Sequence, residues 1–349
     1  MAVTLHDVAR LAGVSIKTVS NVINDYPHIR PATREKVEQA IAELGYTPNL
    51  TARSLRSGRT GAIALAVPDL ALAYFAELAA SVIAAAEASG LVVLVEQTGG
   101  DRDRELELLR SPRFKMTDGL LFSALGLGQD DAEVLDVPYP LVLLGERIFD
   151  GPTDHVTMQN VAAARAATEH LIAAGRRRIA VVGVHEGEVI GSAGLRLRGY
   201  REALEAHGIA FDEALVGPSM AWHRESGARA MREILARGVP FDAVFAMNDT
   251  LALGAMRALL EAGRRVPDDV AVIGFDNIDE AQYTVPSLST IDPGREWIAN
   301  TAVGTLLERI ERGDAAGGPR TLLADFAVVA RESAPAVDPV PAAIAAVVG

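Results

Sequence analysis

TLHDVARLAGVSIKTVSNVIN, residues 4–24, sets two short helical runs on either side of a single glycine. Thr4 and Asp7 have the spacing of a capping box, in which the hydroxyl residue caps a helix start and the acid returns a bond to the cap's amide, so a helix begins near Leu5. Gly13 ends it, Ser15 caps a second helix running to about Ile23, and Asn24-Asp25-Tyr26-Pro27 breaks that one. Pro31 suits a first helical position, Val37, Ile41 and Leu44 recur at helical spacing, and Gly45 supplies the stop. Three helices therefore fit into fewer than about 50 residues. Two of them, joined by a short glycine-containing turn, describe a helix-turn-helix whose second helix enters the major groove. Ala9, Ala12 and Gly13 permit a close crossing, and Leu5, Val8, Val14, Val19 and Val22 form its inner face. Ser15, Thr18, Ser20 and Asn24 are left to bond phosphates, which position without specifying. Ile16, Lys17 and Asn21 face base edges, where lysine suits guanine, asparagine suits adenine and isoleucine suits a thymine methyl. Periodicity alone leaves a small bundle or protein-docking module open as an alternative.

The charge balance changes along the chain. The whole sequence of 349 residues carries a formal net charge of −13, yet residues 1–60 hold eight lysines and arginines against five acids. A mildly basic head on an acidic body suits an anion-binding head whose body repels nucleic acid. The length calls for two or three cores, and 49% hydrophobic with 23% charged residues is ordinary for a globular protein. No window approaches the roughly 20 unbroken apolar residues of a membrane span, and residues 1–20 lack the layout of a secretory signal. The sequence contains no cysteine, which excludes disulfides and thiolate chemistry and makes a reducing cytoplasm the expected compartment.

From Thr60 onward, short apolar runs alternate with amphipathic helical stretches. The runs are Ala62–Val67, Leu91–Val95, Gly119–Phe122, Leu141–Leu144, Ile179–Gly183, Ala243–Met247 and Val270–Phe275. Continuously apolar strands separated by helices indicate parallel sheets covered on both faces. The expected fold class is α/β, with a small all-α head and a body of two doubly wound lobes dividing near Asn160. Ligands of such sheets sit beyond the carboxyl ends of the strands. Those positions hold Pro68 and Asp69, Ser123, Glu146 and Arg147, Asn248 and Asp249, and Asp276 and Asn277; Trp222 lies in a loop before a helix. Acids, amides, an arginine and an indole suit a neutral polyhydroxylated ligand, the indole covering the apolar face of a sugar ring. Any one Asp or Asn after a strand also reads as a plain helix cap.

The head segment, followed by TREKVEQAIAELGYTPNLTARSLRSG at residues 33–58, closely resembles the lactose-repressor and galactose-repressor family of bacterial transcription regulators. The resemblance covers about residues 3–332. It implies a helix-turn-helix domain at 1–46, a hinge at 47–59, and an effector-binding, dimerising body at 60–333 with a periplasmic-binding-protein-like fold. The first lobe would comprise 60–159 plus 292–320 and the second 160–291 plus 321–333, leaving a loosely ordered tail at 334–349. Asn49 to Ser57 is too short to be a stable helix alone. In the family it pairs with its twin in the minor groove, with Leu55 at the wedge position and Arg53, Arg56 and Arg59 meeting phosphate. The set assigned to DNA is then Thr4, Leu5, Ser15, Ile16, Lys17, Thr18, Ser20, Asn21, Asn24, Tyr46, Asn49, Arg53 and Leu55.

The same resemblance implies effector ligands at Arg196, chosen over Arg198 because it stands three residues before Gly199, and at Asn248, Asp276 and the aromatic platform Trp222. Phe75, Ser123 and Ser192 match further pocket positions. The family's usual aspartate after the fourth strand is absent from LLGER, where Glu146 is the nearest acid. Its frequent Gly-His-Arg-Arg turn is Gly175-Arg176-Arg177-Arg178, and Pro293 stands at a polar pocket position. The implied partners are near-palindromic operator DNA, a small effector such as a sugar, and a second copy of the chain. The tail has no leucine heptad to build a tetramer.

An enzyme or a transporter's solute-binding protein on the same two-lobe fold is the alternative. No phosphate-binding Gly-x-x-x-x-Gly-Lys-Ser/Thr loop occurs, Gly126-Leu-Gly128 lacks a third glycine, and Gly217-Pro-Ser219-Met-Ala221 lacks the last glycine of a nucleophile elbow. The seven histidines do not cluster at metal-ligand spacing, so no catalytic residue, cofactor or metal is expected. The head argues against a solute-binding protein.

Overall fold

The computed structural model describes residues 3–23, 26–46, 59–112 and 116–336. The chain divides into a unit ending at Thr60 and a second beginning at Gly61. In the first, α1 (Leu5–Ala12), α2 (Ile16–Ile23) and α3 (Pro31–Leu44) start and stop where the local chemistry directs. The Thr4 amide and hydroxyl donate to the Asp7 carboxylate at 3.0 and 2.7 Å. Gly13 takes φ 64°, a left-handed turn that costs a residue without Cβ little. Ser15 Oγ accepts the Thr18 N–H at 3.1 Å and so caps α2. Val8, Ala9, Val19, Val22, Val37 and Ala40 form the core of this unit.

The body is built on two parallel sheets. The first lobe carries β1 (Ala62–Val67), α4 (Ala73–Ala88), β2 (Val92–Gln97), α5 (Arg102–Arg110), β3 (Leu120–Ser123), β4 (Leu141–Leu144) and β5 (Asp154–Met158). The second carries α6 (Asn160–Ala173), β6 (Ile179–Val184), α7 (Ser192–Ala206), β7 (Val216–Pro218), α8 (Arg224–Ala236), β8 (Ala243–Ala246), α9 (Asp249–Glu261), β9 (Ala271–Ile273) and β10 (Thr290–Asp292). The chain then returns through α10 (Arg295–Arg312) and β11 (Thr321–Ala324) to the first lobe before β12 (Ala327–Val329). Strand order is β11-β5-β4-β3-β1-β2 in one sheet and β7-β6-β8-β9 in the other, with β10 and β12 an antiparallel pair. Runs such as AIALAV are buried almost throughout because helices cover both sheet faces. The α8–α9 contact depends on Gly254, where a Cβ would strike the Arg224 carbonyl oxygen.

Three expectations need correction. Residues 321–324 do not belong to the second lobe: β11 pairs in parallel with β5, Thr321 opposite His155, so the last crossing lies between Ala324 and Ala327. Ala334 does not begin a loose tail, since it is 1% exposed and its carbonyl accepts from His170 at 2.8 Å and Ser289 at 3.0 Å. The remainder of that tail, from 337, lies outside the described residues. The pattern of apolar runs does not reveal strand β5, because DHVTM opens on two polar residues. Asp154 is nonetheless fully buried, where Arg309 donates at 2.6 Å and the Arg320 amide at 2.8 Å. Burial opposes its ionisation, but these donors outweigh that and hold its carboxyl below the ordinary range.

Candidate functional site

In the head, α2 buries Val19 and Val22 and turns the opposite side outward: Lys17 is exposed, and Thr18, Ser20 and Asn21 are partly so. This is the disposition a groove-reading helix needs. Tyr46 is 8% exposed and packs in the core of the head. Leu5 and Ile16 are half-buried against the same core. Asn24, Asn49, Arg53 and Leu55 lie outside the described residues.

In the body, the eight residues expected to touch effector line one cleft at the carboxyl ends of both sheets: Phe75, Ser123, Glu146, Ser192, Arg196, Trp222, Asn248 and Asp276. They come from sequence positions up to about 200 residues apart. Ser123 ends β3, Glu146 and Asn248 follow β4 and β8, and Asp276 follows β9 at φ 112°, an uncommon backbone conformation for a residue with a Cβ.

Arg196, 3% exposed, is held on every side. Its Nε donates to Asn160 Oδ1 at 2.7 Å, Nη1 bonds the Met247 carbonyl, and its guanidinium lies 3.6 Å from the ring centre of Phe275 and 5.3 Å from that of Trp222. Asp276 Oδ1 is 3.6 Å from Nη1. Burial pushes the Asp276 carboxyl up to about 7; Arg196 and Arg295 pull it back, while Glu146 and Glu77 add to the rise. Glu146 accepts hydroxyl bonds from Ser192 at 2.7 Å and Thr157 at 3.2 Å, the first of which joins the lobes. Trp222 is oriented by its indole N–H, which donates to the Gly183 carbonyl at 2.9 Å. Asn248 combines both roles weighed for it. Its Oδ1 caps α9 through the Leu251 N–H at 2.7 Å, and the residue still lines the cleft.

Asp69, Asp249 and Asn277 do not line the cleft. Asp249 is buried beneath Asp276, accepting from the Thr290 hydroxyl and the Ile278 amide; desolvation, then the charge of Asp276, raises its carboxyl well above the ordinary range. Asn277 ties Asp292 to Arg331. Tyr74, Arg147, Thr157 and Met158 line the cleft without having been singled out as ligands. Arg147 follows Glu146 and was visible; Thr157 and Met158 were hidden in the unread strand β5. Burial, with Glu146 and Asp276 adding, pushes the Tyr74 phenol far up. Glu105, in α5, is fully buried and accepts the Leu125, Gly126 and Leu127 amides at 2.8–3.1 Å, fixing the loop that brings Leu125 to the rim.

Residues 4–49 match the family described as bacterial regulatory proteins, lacI family, and residues 168–334 match the periplasmic binding protein-like domain. The chain is 38% identical over 322 residues to the HTH-type transcriptional regulator CelR of Thermobifida fusca, spanning 88% of this chain and 92% of that one. It belongs to the lacI family. Among solved structures, this regulator is similar to a LacI-family protein from Sanguibacter keddieii, at 55% identity and TM-score 0.74 over 79% of this chain and 99% of that one. A CelR–cellobiose complex matches at 34% identity and TM-score 0.70, covering 95% and 99% of the two chains. The lac repressor dimer bound to operator and the anti-inducer ONPF matches at 31% and 0.82, covering 96% and 100%. The regulator is a DNA-binding transcription factor with a helix-turn-helix head. Among the described residues no helix is long and apolar enough to cross a membrane.

Proposed function

We propose that this regulator represses carbohydrate genes as a cytoplasmic homodimer, reading near-palindromic operators with α2 and releasing or gripping them as a sugar binds between the lobes. Lys17 and Asn21 read bases, Ser15, Thr18 and Ser20 meet phosphate, and Leu55 wedges the minor groove. One observation carries the effector reading: eight polar and aromatic residues from both lobes meet in a single cleft around the Arg196–Asp276 pair. A group that contacts both lobes stabilises one arrangement of them, and by linkage the operator's affinity changes by the factor by which operator changes the effector's. The relatives support this, one being solved with cellobiose and another with operator. The relatives are named as transcriptional regulators, and the reading assigns no catalytic step.

Dimerisation is supported by apolar side chains exposed on both lobes, Val92 and Leu94 on the edge strand β2 and Leu260, Tyr283 and Val285 on the second lobe. The test is selection of duplexes from a random pool by the full-length protein, then titration of the selected duplex with mono- and disaccharides. Enrichment of a two-fold-symmetric sequence whose affinity shifts with one sugar is expected. Failure to enrich any sequence at low salt overturns the reading.

A further inference from the structure

We propose that the effector is a saccharide bearing one protonated amine, held beside Glu146 and Asp276; this rests on the sugar-sensing reading above. Arg147 shares Glu188 with His185, at 3.1 and 2.9 Å, and Arg295 is paired with Glu77 at 2.7 Å. Among the described residues lining the cleft Arg196 is the other cation, and it faces two acids. Its bonds go to Asn160, the Met247 carbonyl and Met158, leaving a longer 3.6 Å approach to Asp276. Glu146 is 6% exposed and its bonds come from two neutral hydroxyls, Ser192 and Thr157; among the described residues no cation stands within ion-pair distance of it.

The Glu146 carboxylate on this buried wall therefore has no counter-charge beside it, and burying a carboxylate without one is unfavourable. The wall has two ways out: to take up a proton, or to accept a cation with the ligand. The raised Asp276 carboxyl expresses the first, and the charge of Glu146 contributes to it. A ligand ammonium achieves the second, bringing three N–H donors to acceptors that have few. Trp222, Tyr74 and Phe75 supply apolar and aromatic wall for the sugar ring and for the cation's electrostatic attraction to π faces. A neutral sugar meets the same hydroxyl-binding groups but leaves the charge unbalanced.

The test is isothermal titration calorimetry of the full-length protein at pH 7. The amines are glucosamine, galactosamine and mannosamine; the neutral counterparts are glucose, galactose and mannose. One amine is expected to bind at least about tenfold more tightly than its neutral counterpart. N-acetylation, which removes the charge and keeps the ring, should abolish that advantage, and so should Glu146→Gln. The wild-type comparison with the acetylated sugar stands even if the variant does not fold. A neutral sugar binding as tightly as its amine overturns the inference and leaves sugar sensing intact, whereas no binding by either panel overturns both.

Discussion

Arg147 of the first lobe donates to Glu188 of the second at 3.1 Å, directly across the cleft. Glu188 also accepts from His185 Nδ1 at 2.9 Å and from the Ala193 and Gly194 amides at the start of α7. The His185 ring packs at 5.4 Å from Trp222. The platform expected to carry the effector and the bridge between the lobes are thus mechanically one unit. Burial opposes ionisation of Glu188, but the His185 bond and charge, the Gly194 amide and Arg147 outweigh it and depress its carboxyl. A depressed carboxyl stabilises above its unfolded range and loses that contribution as pH falls through its folded value. Lobe closure should therefore hold at neutral pH and fail in acid. Small-angle scattering of the effector complex should show an expansion at low pH, with Arg147→Met expanded at both pH values; an unchanged profile for the variant would exclude the bridge.

Asp276 runs the other way. Its raised carboxyl contributes stability below its unfolded pKa that is lost as pH rises through about 7. Asp276→Asn should gain melting temperature relative to wild type as pH increases from 5 to 8, while losing the effector response. Equal destabilisation across that range would show that the charge of Asp276 is fully compensated in the fold.

Lys17 and Asn21 should set operator choice. Each replacement by alanine is expected to cost about 1–3 kcal/mol on the preferred sequence and to relax selection at one base pair. Sequencing of selected duplexes reads this directly. A uniform loss across all sequences would assign these side chains to phosphate instead.

Leu55→Ala should weaken operator binding while the body's sugar affinity stays nearly the same, because a wedge between base pairs is lost and nothing in the cleft is touched. Gel-shift titration and calorimetry separate the two readouts. Unchanged operator affinity would remove Leu55 from the wedge position.

The helix boundaries of the head were legible because each is set locally, by Thr4 with Asp7, by Gly13 and by Ser15. The lobes were legible because long apolar runs advertise buried parallel strands. Strand β11 was assigned to the wrong lobe, since its pairing with β5 spans more than 150 residues and nothing in TLLA records its partner. Nothing beside Tyr46 in the sequence records its burial, which comes from the packing of α1 to α3.

For the cleft, position after a strand pointed to Ser123, Glu146, Asn248 and Asp276, because topology brings the carboxyl ends of both sheets together, and Trp222 stood in a loop before a helix; Phe75, Ser192 and Arg196 follow no strand and came only from the family resemblance. Their charge states were not readable from the chain. Whether a carboxylate is paired, as Asp154 is by two arginines, or left facing neutral hydroxyls, as Glu146 is, depends on side chains brought from distant segments. Local chemistry determined which elements form. Which charges cancel inside them was decided by tertiary packing, since Coulomb energy depends on distance and burial, and sequence separation records neither.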